Sequence, residues 1–251
     1  MKSIVVGNWK MNPATLREAK KLLDATKKAA DTAKHVTLVV APPVIFLHDL
    51  RAAYKGKRVA FAVQNASSEP SGAHTGEISM AQAADAGASY VIIGHAERRG
   101  MGETNDDTRK KVAAALAFKM TPILCVGETA RASDGAYFNV VKEQLRLGLA
   151  DVPSPKLGAV IITYEPLWTI GKELAMSPRD MHEMAIFIRK SVVEMKGEGG
   201  MNIKILYGGS IDETNAGAML KFGDVHGLLV GRASEDALKL SRLLQAIEQS
   251  A

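Results

Sequence analysis

The chain has 251 residues, of which 47% are hydrophobic and 24% charged, as is usual for a soluble globular protein. No apolar run approaches the roughly 18 residues that a membrane-spanning helix needs, and the single cysteine, Cys125, excludes an internal disulfide framework. A lone cysteine is typical of a reducing compartment, so we expect a cytoplasmic protein. Because no apolar run is long enough, we expect no membrane partner.

The net charge of +5 results from 32 basic and 27 acidic residues. The lysines are scattered along predicted helices, for example at Lys20, Lys21, Lys27 and Lys28. This pattern is typical of solvated helix faces, so no nucleic-acid partner is expected. A modest positive charge does suit an anionic small substrate. The N-terminal residues lead directly into an apolar run and lack the shape of a signal peptide.

Short apolar runs rich in β-branched residues recur along the chain and predict eight strands. They cover residues 3–7, 36–41, 58–64, 90–94, 122–126, 159–164, 203–207 and 227–231. A segment with helical periodicity follows each run, at residues 15–32, 44–54, 80–86, 106–118, 138–149, 178–196, 213–221 and 235–249. This alternation predicts an α/β fold in which helices cover a parallel sheet.

Eight strand–helix units in a chain of this length match a closed (β/α)₈ barrel of eight parallel strands ringed by helices. An open, doubly wound sheet is the alternative, but it often begins with a glycine-rich nucleotide fingerprint. The turn after the first strand reads GNWKMN at residues 7–12, which is no such fingerprint. No Pro/Gly/Ser-rich linker divides the chain, so residues 1–251 are predicted to form a single domain.

Polar side chains stand where several predicted strands end, which is where barrels of this kind carry their chemistry. Asn8 and Lys10 follow the first strand, and His95 and Glu97 follow the fourth. Glu165 follows the sixth strand, just before a proline that restricts its backbone to extended conformations. A cation, an imidazole and a carboxylate at the tips of one ring suit proton transfer next to a carbonyl group.

Glycine-bearing turns follow the last two strands, at residues 208–210 and 231–234. Barrels often bind phosphate groups at these two positions, because backbone N–H groups are free to contact an anion there. No metal-ligand pattern is evident, and neither a metal nor another cofactor is expected. Each feature also has a structural interpretation, in which Glu165 caps a strand, Lys10 lies on the surface and the glycines form plain turns.

Several motifs together make the chain similar to the triosephosphate isomerases along essentially its whole length. The motifs are GNWKMN at 7–12, QN at 64–65, GAHTGE at 72–77, IIGHAERR at 92–99, PILCVGE at 122–128, YEPLWTIG at 164–171, YGGS at 207–210 and LLVGRAS at 228–234. The resemblance implies the TIM-barrel fold and an intramolecular aldose–ketose isomerase. Such an enzyme interconverts dihydroxyacetone phosphate and D-glyceraldehyde 3-phosphate through an enediol(ate), in glycolysis and gluconeogenesis, without a cofactor.

The resemblance also implies a role for each site residue. Glu165 would be the general base, His95 the electrophile at the start of a helix, and Lys10 the cation of the active site. Asn8 and Glu97 would support these three. The substrate would be held by a further group of residues, Asn8, Lys10, Gly171, Ser210, Leu229, Gly231 and Arg232. Residues 166–176 would form a lid that closes over the substrate and excludes water.

A homodimer is the implied assembly. The polar stretch at residues 65–77 has neither strand nor helix pattern, and a loop of this length in a compact domain usually has a function. By resemblance it reaches the partner's active site with Thr75. The family's aromatic residue is absent from residues 99–103, which are one residue shorter than usual, and this segment normally meets the partner's loop. The chain therefore departs from the family's pattern at the expected dimer contact.

Three further departures concern the active site. Ala96 replaces a serine, which removes a hydroxyl expected near the base. The lid tip reads Lys172, Glu173, Leu174 where the family usually has a glycine-rich sequence. Arg232 replaces the second glycine of the phosphate turn and would be strained if that residue needed a positive φ. Rival hypotheses are a barrel acting on a larger aminosugar phosphate, and a phosphate-binding barrel with weakened catalysis.

Overall fold

The computed structural model describes residues 2–131, 133–169 and 175–250 of the chain. Its strands form a closed barrel in which each strand pairs in parallel with the next and β8 pairs with β1. The strands are β1 (Ser3–Asn8), β2 (Val36–Ala41), β3 (Val59–Val63), β4 (Tyr90–Ile93), β5 (Thr121–Val126), β6 (Ile161–Tyr164), β7 (Lys204–Tyr207) and β8 (Gly227–Val230). The predicted (β/α)₈ barrel is therefore confirmed.

Helices surround this barrel. They are α1 (Leu16–Thr32), α2 (Val44–Ala53), α3 (Met80–Asp85), α4 (Ala96–Gly100), α5 (Asn105–Ala117), α6 (Ala136–Gly148), α7 (Pro178–Lys196), α8 (Ala216–Phe222) and α9 (Ala237–Ser250). Short 3₁₀ helices cover Ser154–Ala159, Glu198–Asn202 and Arg232–Glu235. Within the described ranges, no helix has the length and apolar character that crossing a membrane requires.

The strands are buried on both faces because alternate side chains enter two separate apolar layers. In β1, Val6 packs inside the barrel with Val39 and Ile92, whereas Val5 packs outward against the helices, in the same cluster as Leu38. Successive side chains of a strand point to opposite faces, so a continuous apolar run fills both layers. This explains why the barrel strands appear in the sequence as unbroken hydrophobic segments.

Local hydrogen bonds decide where helices begin, and they correct several predicted boundaries. The predicted helix at 235–249 begins later, at Ala237, because Asp236 accepts hydrogen bonds from the N–H groups of Leu238 and Lys239 at 2.8 and 3.0 Å. The predicted start at residue 213 is also wrong. Asp212 accepts from Thr214 N–H at 2.8 Å in a turn, and the helix follows only at Ala216.

The sixth strand is shorter than predicted. Ala159 ends a 3₁₀ helix, and Val160 N–H donates to Leu157 O at 2.9 Å instead of joining the sheet. Strand pairing begins at Ile161, which is in register with Lys204 of β7. The carboxyl end of β6 is unaffected, so Glu165 still follows the strand directly.

The long segment after β3 is closed at its base. Ser67 N–H donates to Ile78 O at 2.7 Å, and Ser67 forms an isolated parallel bridge with Ser79. Between these anchors residues 69–77 are exposed, including Thr75. All strands run in the same direction, so this loop and the candidate site residues leave the barrel at the same end.

Candidate active site

Lys10 enters the site from a strained turn after β1. Its φ is +50°, a left-handed conformation that costs a non-glycine residue about 1 kcal/mol. Two hydrogen bonds hold it there: Lys10 N–H donates to Asn8 Oδ1 at 3.0 Å, and Gln64 Nε2 donates to Lys10 O at 2.7 Å. Asn8 is itself buried. The turn therefore fixes the direction in which the lysine side chain leaves the barrel.

The Lys10 ammonium group meets a carboxylate from the fourth strand end. Lys10 Nζ lies 2.5 Å from Glu97 Oε1, although the two residues are 87 positions apart in the chain. Both side chains are partly exposed, so the pair contributes little to the stability of the fold. Its consequence is positional, because it orients the cation at the edge of the cleft.

His95 caps the N-terminus of α4. Its Nδ1 accepts a hydrogen bond from Glu97 N–H at 3.2 Å, so Nδ1 acts as the unprotonated nitrogen of a neutral ring. The proton is then on Nε2, which lies 3.4 Å from Glu165 Oε1. An imidazole held in this tautomer presents an N–H donor to the cleft.

Glu165 is almost completely buried, at 2% exposure, beside His95. Its Oε2 accepts a hydrogen bond from Ala96 N–H at 3.0 Å, and its own N–H donates to Val126 O at 2.8 Å. The contact to position 96 uses the backbone, so the missing serine hydroxyl does not remove it. Glu165 therefore has a defined place with alanine at position 96.

Two glycines leave just enough room for Glu165. A Cβ added to Gly208 would lie 2.8 Å from Glu165 Cγ, and one added to Gly127 would lie 1.8 Å from Glu165 O. Real Cβ atoms do not approach other heavy atoms this closely. The side chain and the backbone of Glu165 are thus each enclosed by a glycine from a neighbouring strand end.

Cys125 lies in the inner layer of the barrel close to Glu165. Burial raises the pKa of the Cys125 thiol well above its ordinary value, and the charge of Glu165 raises this pKa further. The thiol therefore stays protonated and is a poor nucleophile. Among the described residues, no group of three or more His, Cys, Asp or Glu side chains could hold a metal ion.

One cleft joins these side chains to the two glycine turns. It is lined by Asn8, Lys10, His95, Glu165, Gly208, Gly209, Ser210, Ile211, Leu229, Gly231 and Arg232. The predicted site residues that the structure describes thus meet in one place, apart from Glu97, which contacts the cleft through Lys10. Ile211 was not predicted from the sequence, because an isolated apolar residue after a turn carries no distinctive signal.

The turn after β8 accommodates Arg232 without the strain that a positive φ would bring. Among the described residues, only Lys10, Lys119 and Asp224 are non-glycine residues with positive φ. Arg232 instead begins a 3₁₀ helix. The residue before it, Gly231, has little room for a side chain, because a Cβ added to Gly231 would lie 3.1 Å from Lys10 Cε. Ser234 Oγ donates to Gly231 O at 2.7 Å and also lies 3.2 Å from Asn8 O, which places this turn beside the first strand end.

Both ends of the predicted lid are anchored. The tip, with Gly171, Lys172, Glu173 and Leu174, lies outside the described residues. Before the tip, Thr169 N–H donates to Pro166 O at 2.9 Å, and Ser210 Oγ donates to Thr169 O at 2.8 Å.

After the tip, Met176 N–H donates to Tyr207 Oη at 3.0 Å. The predicted lid at 166–176 therefore begins and ends in segments tied to β6 and β7.

Glu128, whose role sequence reasoning did not identify, holds the segment on either side of Glu165. Its buried carboxylate accepts hydrogen bonds from Tyr164 Oη and Trp168 Nε1, both at 2.8 Å, and its carbonyl accepts from Leu167 N–H at 3.0 Å. Burial, and then the charge of Glu128, raise the pKa of Tyr164, which keeps this phenol a donor. Its place in the motif at 122–128 was the available signal.

The segment at 99–103 is short, but hydrogen bonds and an ion pair of its own side chains fix it to the barrel. Glu103 Oε2 accepts from Gly94 N–H at 3.0 Å, and its other oxygen pairs with Lys111. Arg99 donates to Gly94 O at 2.9 Å and to Cys125 O at 3.2 Å. The tip residue Met101 is 75% exposed.

Comparison with known proteins agrees with this geometry. A family model described as triosephosphate isomerase matches residues 3–247. The triosephosphate isomerase of Endomicrobium trichonymphae is 40% identical over 246 residues, which cover 97% of this chain and 98% of that protein. The triosephosphate isomerase of Lawsonia intracellularis (strain PHE/MN1-00) is 37% identical over 249 residues, covering 98% of each. The chain therefore belongs to the triosephosphate isomerase family.

Proposed function

We propose that the cleft is the active site of a triosephosphate isomerase, in which Glu165 is the base that moves a proton between adjacent carbons of the triose phosphate. The observation that carries this proposal is the meeting of Lys10, His95 and Glu165 in one cleft with two glycine turns. The substrate is dihydroxyacetone phosphate or D-glyceraldehyde 3-phosphate, and the reaction is an intramolecular aldose–ketose isomerisation.

In the proposed mechanism Glu165 removes a proton from the carbon next to the carbonyl group. The electron pair of that C–H bond forms the C=C bond of an enediolate, and the carbonyl oxygen becomes negative. A proton then passes from the hydroxyl on the deprotonated carbon to the negative oxygen. The base returns its own proton to the former carbonyl carbon, and a C=O bond forms at the deprotonated carbon, which completes the isomerisation. A buried carboxylate with a fixed place suits this exchange, because proton transfer requires the base and the carbon to be closely aligned.

His95 and Lys10 stabilise the oxygen on which charge develops. The neutral ring of His95 points its Nε2 at the same region as Glu165 Oε1, 3.4 Å away. Lys10 adds a positive charge that Glu97 and the Asn8 turn hold in position. Donors that are in place before the reaction stabilise a developing oxyanion without reorganisation.

The phosphate group of the substrate binds at the turns after β7 and β8. Ser210 and Gly231 line the cleft there and would offer backbone N–H groups to the phosphate, Arg232 adds a positive charge, and Leu229 lines the wall of the cleft. Gly171 lies outside the described residues and stays a predicted phosphate ligand through its N–H. N–H groups at the start of a helical turn favour an anion, which supports this assignment.

The proposed assembly is a homodimer in the cytoplasm, acting in glycolysis and gluconeogenesis. Exposed apolar residues follow three of the first four strands: Met11 after β1, Ile45 after β2 and Met101 after β4, with exposures of 92, 77 and 75%. The exposed loop at residues 65–77 follows the remaining strand and carries Thr75. Large exposed apolar side chains gathered at one end of a barrel favour a protein–protein contact.

A coupled assay with both triose phosphates tests the catalytic proposal. Glu165→Gln keeps the size of the side chain and removes the base, so kcat should fall about 10²- to 10⁴-fold while inorganic phosphate still inhibits by binding in the cleft. Full activity of this variant would show that Glu165 is not the base. Sedimentation of the wild-type protein tests the dimer, and a monomer at micromolar concentration would overturn that part.

A further inference from the structure

Gln144, on α6, makes an unusual contact with the end of β5. Its side chain is buried, and its carboxamide forms two hydrogen bonds with one residue, Gly127. Gly127 N–H donates to Gln144 Oε1 at 2.7 Å, and Gln144 Nε2 donates to Gly127 O at 3.0 Å. The carboxamide thus pairs with both polar backbone groups of Gly127, as a neighbouring strand would.

The missing neighbour is β4. Its last paired residue, Ile93, is in register with Leu124, and the chain then turns away at Gly94. The other neighbour, β6, continues to pair with β5 as far as Val126 and Tyr164. Gly127 therefore lies beyond the last residue that β4 supports, and Gln144 provides its partner on that side.

Gly127 lies directly against the catalytic strand end. A Cβ at this residue would stand 1.8 Å from Glu165 O, so no other residue fits without moving Glu165. The neighbours of Gly127 hold the same segment: Val126 O accepts from Glu165 N–H at 2.8 Å, and Glu128 O accepts from Leu167 N–H at 3.0 Å. The place of Glu165 is therefore set by three consecutive residues, of which Gln144 fixes the middle one.

We propose that Gln144 is a positioning residue for the isomerase reaction, which holds the Gly127 backbone and through it the catalytic base. This inference rests on the proposed role of Glu165. Gln144 itself does not line the cleft, so it acts on the reaction through Gly127 and Glu165. A side chain that only fastened α6 to the barrel would change stability without changing the rate of the folded enzyme.

The test uses Gln144→Leu, which is close in size and can make neither hydrogen bond. We expect kcat to fall about 10- to 100-fold, because a displacement of about 1 Å at a reacting group has an effect of this order. KM and the inhibition constant of inorganic phosphate should stay within about twofold of wild type, since the phosphate turns lie on β7 and β8.

Thr15→Val is the matched stability control, because Thr15 caps α1 on the outside of the barrel through a hydrogen bond to Glu18 N–H. It should lower the melting temperature and leave kcat unchanged. Should Gln144→Leu fail to fold, Gln144→Glu takes its place under the same criteria, because it keeps an acceptor for Gly127 N–H and loses the donor. A folded variant whose kcat is within twofold of wild type would overturn the inference.

A double-substitution cycle separates this inference from the proposed function. If Gln144 acts through the base, adding Gln144→Leu to Glu165→Gln should change kcat by less than about twofold. A full additional loss in that background would show that Gln144 acts elsewhere and would overturn the inference alone. An active Glu165→Gln single variant would instead overturn the proposed role of the base.

Discussion

Substituting Gly208 by alanine should displace the catalytic base without removing any of its hydrogen-bonding groups. The new Cβ would lie 2.8 Å from Glu165 Cγ, 2.9 Å from Thr163 Cγ2 and 3.3 Å from Glu165 Oε1. Carbon atoms in van der Waals contact are normally about 3.5–4.0 Å apart, so at least two groups must move by several tenths of an ångström. Gly208 N–H also donates to Tyr164 O at 2.8 Å, and this hydrogen bond restrains the backbone of residue 208 from moving away from Glu165.

The expected magnitude follows from which group moves. Thr163 is completely buried within β6, so the end of the Glu165 side chain is the part that can shift. A displacement of a reacting group by up to about 1 Å lowers the rate about 10- to 100-fold. That loss corresponds to about 1.4–2.7 kcal/mol of transition-state stabilisation. Overpacking of the buried site should also destabilise the fold by about 1–3 kcal/mol.

Steady-state kinetics in the coupled assay measures the loss of kcat, and urea unfolding measures the loss of stability. Gly158→Ala is the matched control, because a Cβ at Gly158 meets no atom within 4 Å and the residue lies before β6, at the other end of the strand. The control should keep wild-type kcat. If a folded Gly208→Ala variant also kept kcat within about twofold of wild type, close packing around Glu165 would not matter for catalysis. Our account of how Glu165 is positioned would then be wrong.

Two further predictions concern the phosphate turn and the opposite end of the barrel. Arg232→Gly removes a positive charge, and the backbone at this position does not require glycine. KM should therefore rise by less than about tenfold and depend less on salt concentration. Much tighter inhibition of the variant by inorganic phosphate would refute this prediction. Burial lowers the pKa of His226 below its ordinary value of 6.5, while its Nδ1 accepts from Ile205 N–H at 3.2 Å. The unfolded chain therefore binds the proton more readily, and stability should fall as the pH drops below about 6.5. Urea unfolding at pH 7.5 and 5.5 should show a smaller difference for His226→Gln than for wild type, and equal differences would contradict the assignment.

The sequence predicted the fold more accurately than the ends of its elements. Buried β-branched runs and helical periodicity are local patterns, and they identified all eight strands. The ends depend on single side chains such as Asp236, whose capping hydrogen bonds move the start of α9 to Ala237. Whether an aspartate caps a helix or lies within it depends on the direction of the chain before it, which periodicity does not contain.

The candidate site was predicted from two kinds of information. The position of Lys10, His95 and Glu165 at strand ends predicted that they would meet, because a closed parallel barrel brings all its carboxyl ends together. Their chemistry indicated proton transfer next to a carbonyl group, and the resemblance to a family implied the same role for each residue. Neither argument assigned a role to Glu128, although it stands in the motif at 122–128, because a buried carboxylate after a strand is common. Gln144 was not identified either, since a glutamine on a helix carries no distinctive pattern.

The sequence by itself determined the order of strands and helices, the barrel and the residue types at the strand ends. Hydrophobic periodicity and turn residues are local patterns, since they involve residues that are close together in the chain. Only the tertiary structure decided the distances on which the chemistry depends. Lys10 meets Glu97 from 87 residues away, Ala96 supplies an N–H to Glu165, and Gln144 completes an edge that β4 leaves open. Such contacts are set by how tightly the closed ring packs, down to the absent Cβ atoms of Gly127 and Gly208, and no local pattern encodes that spacing.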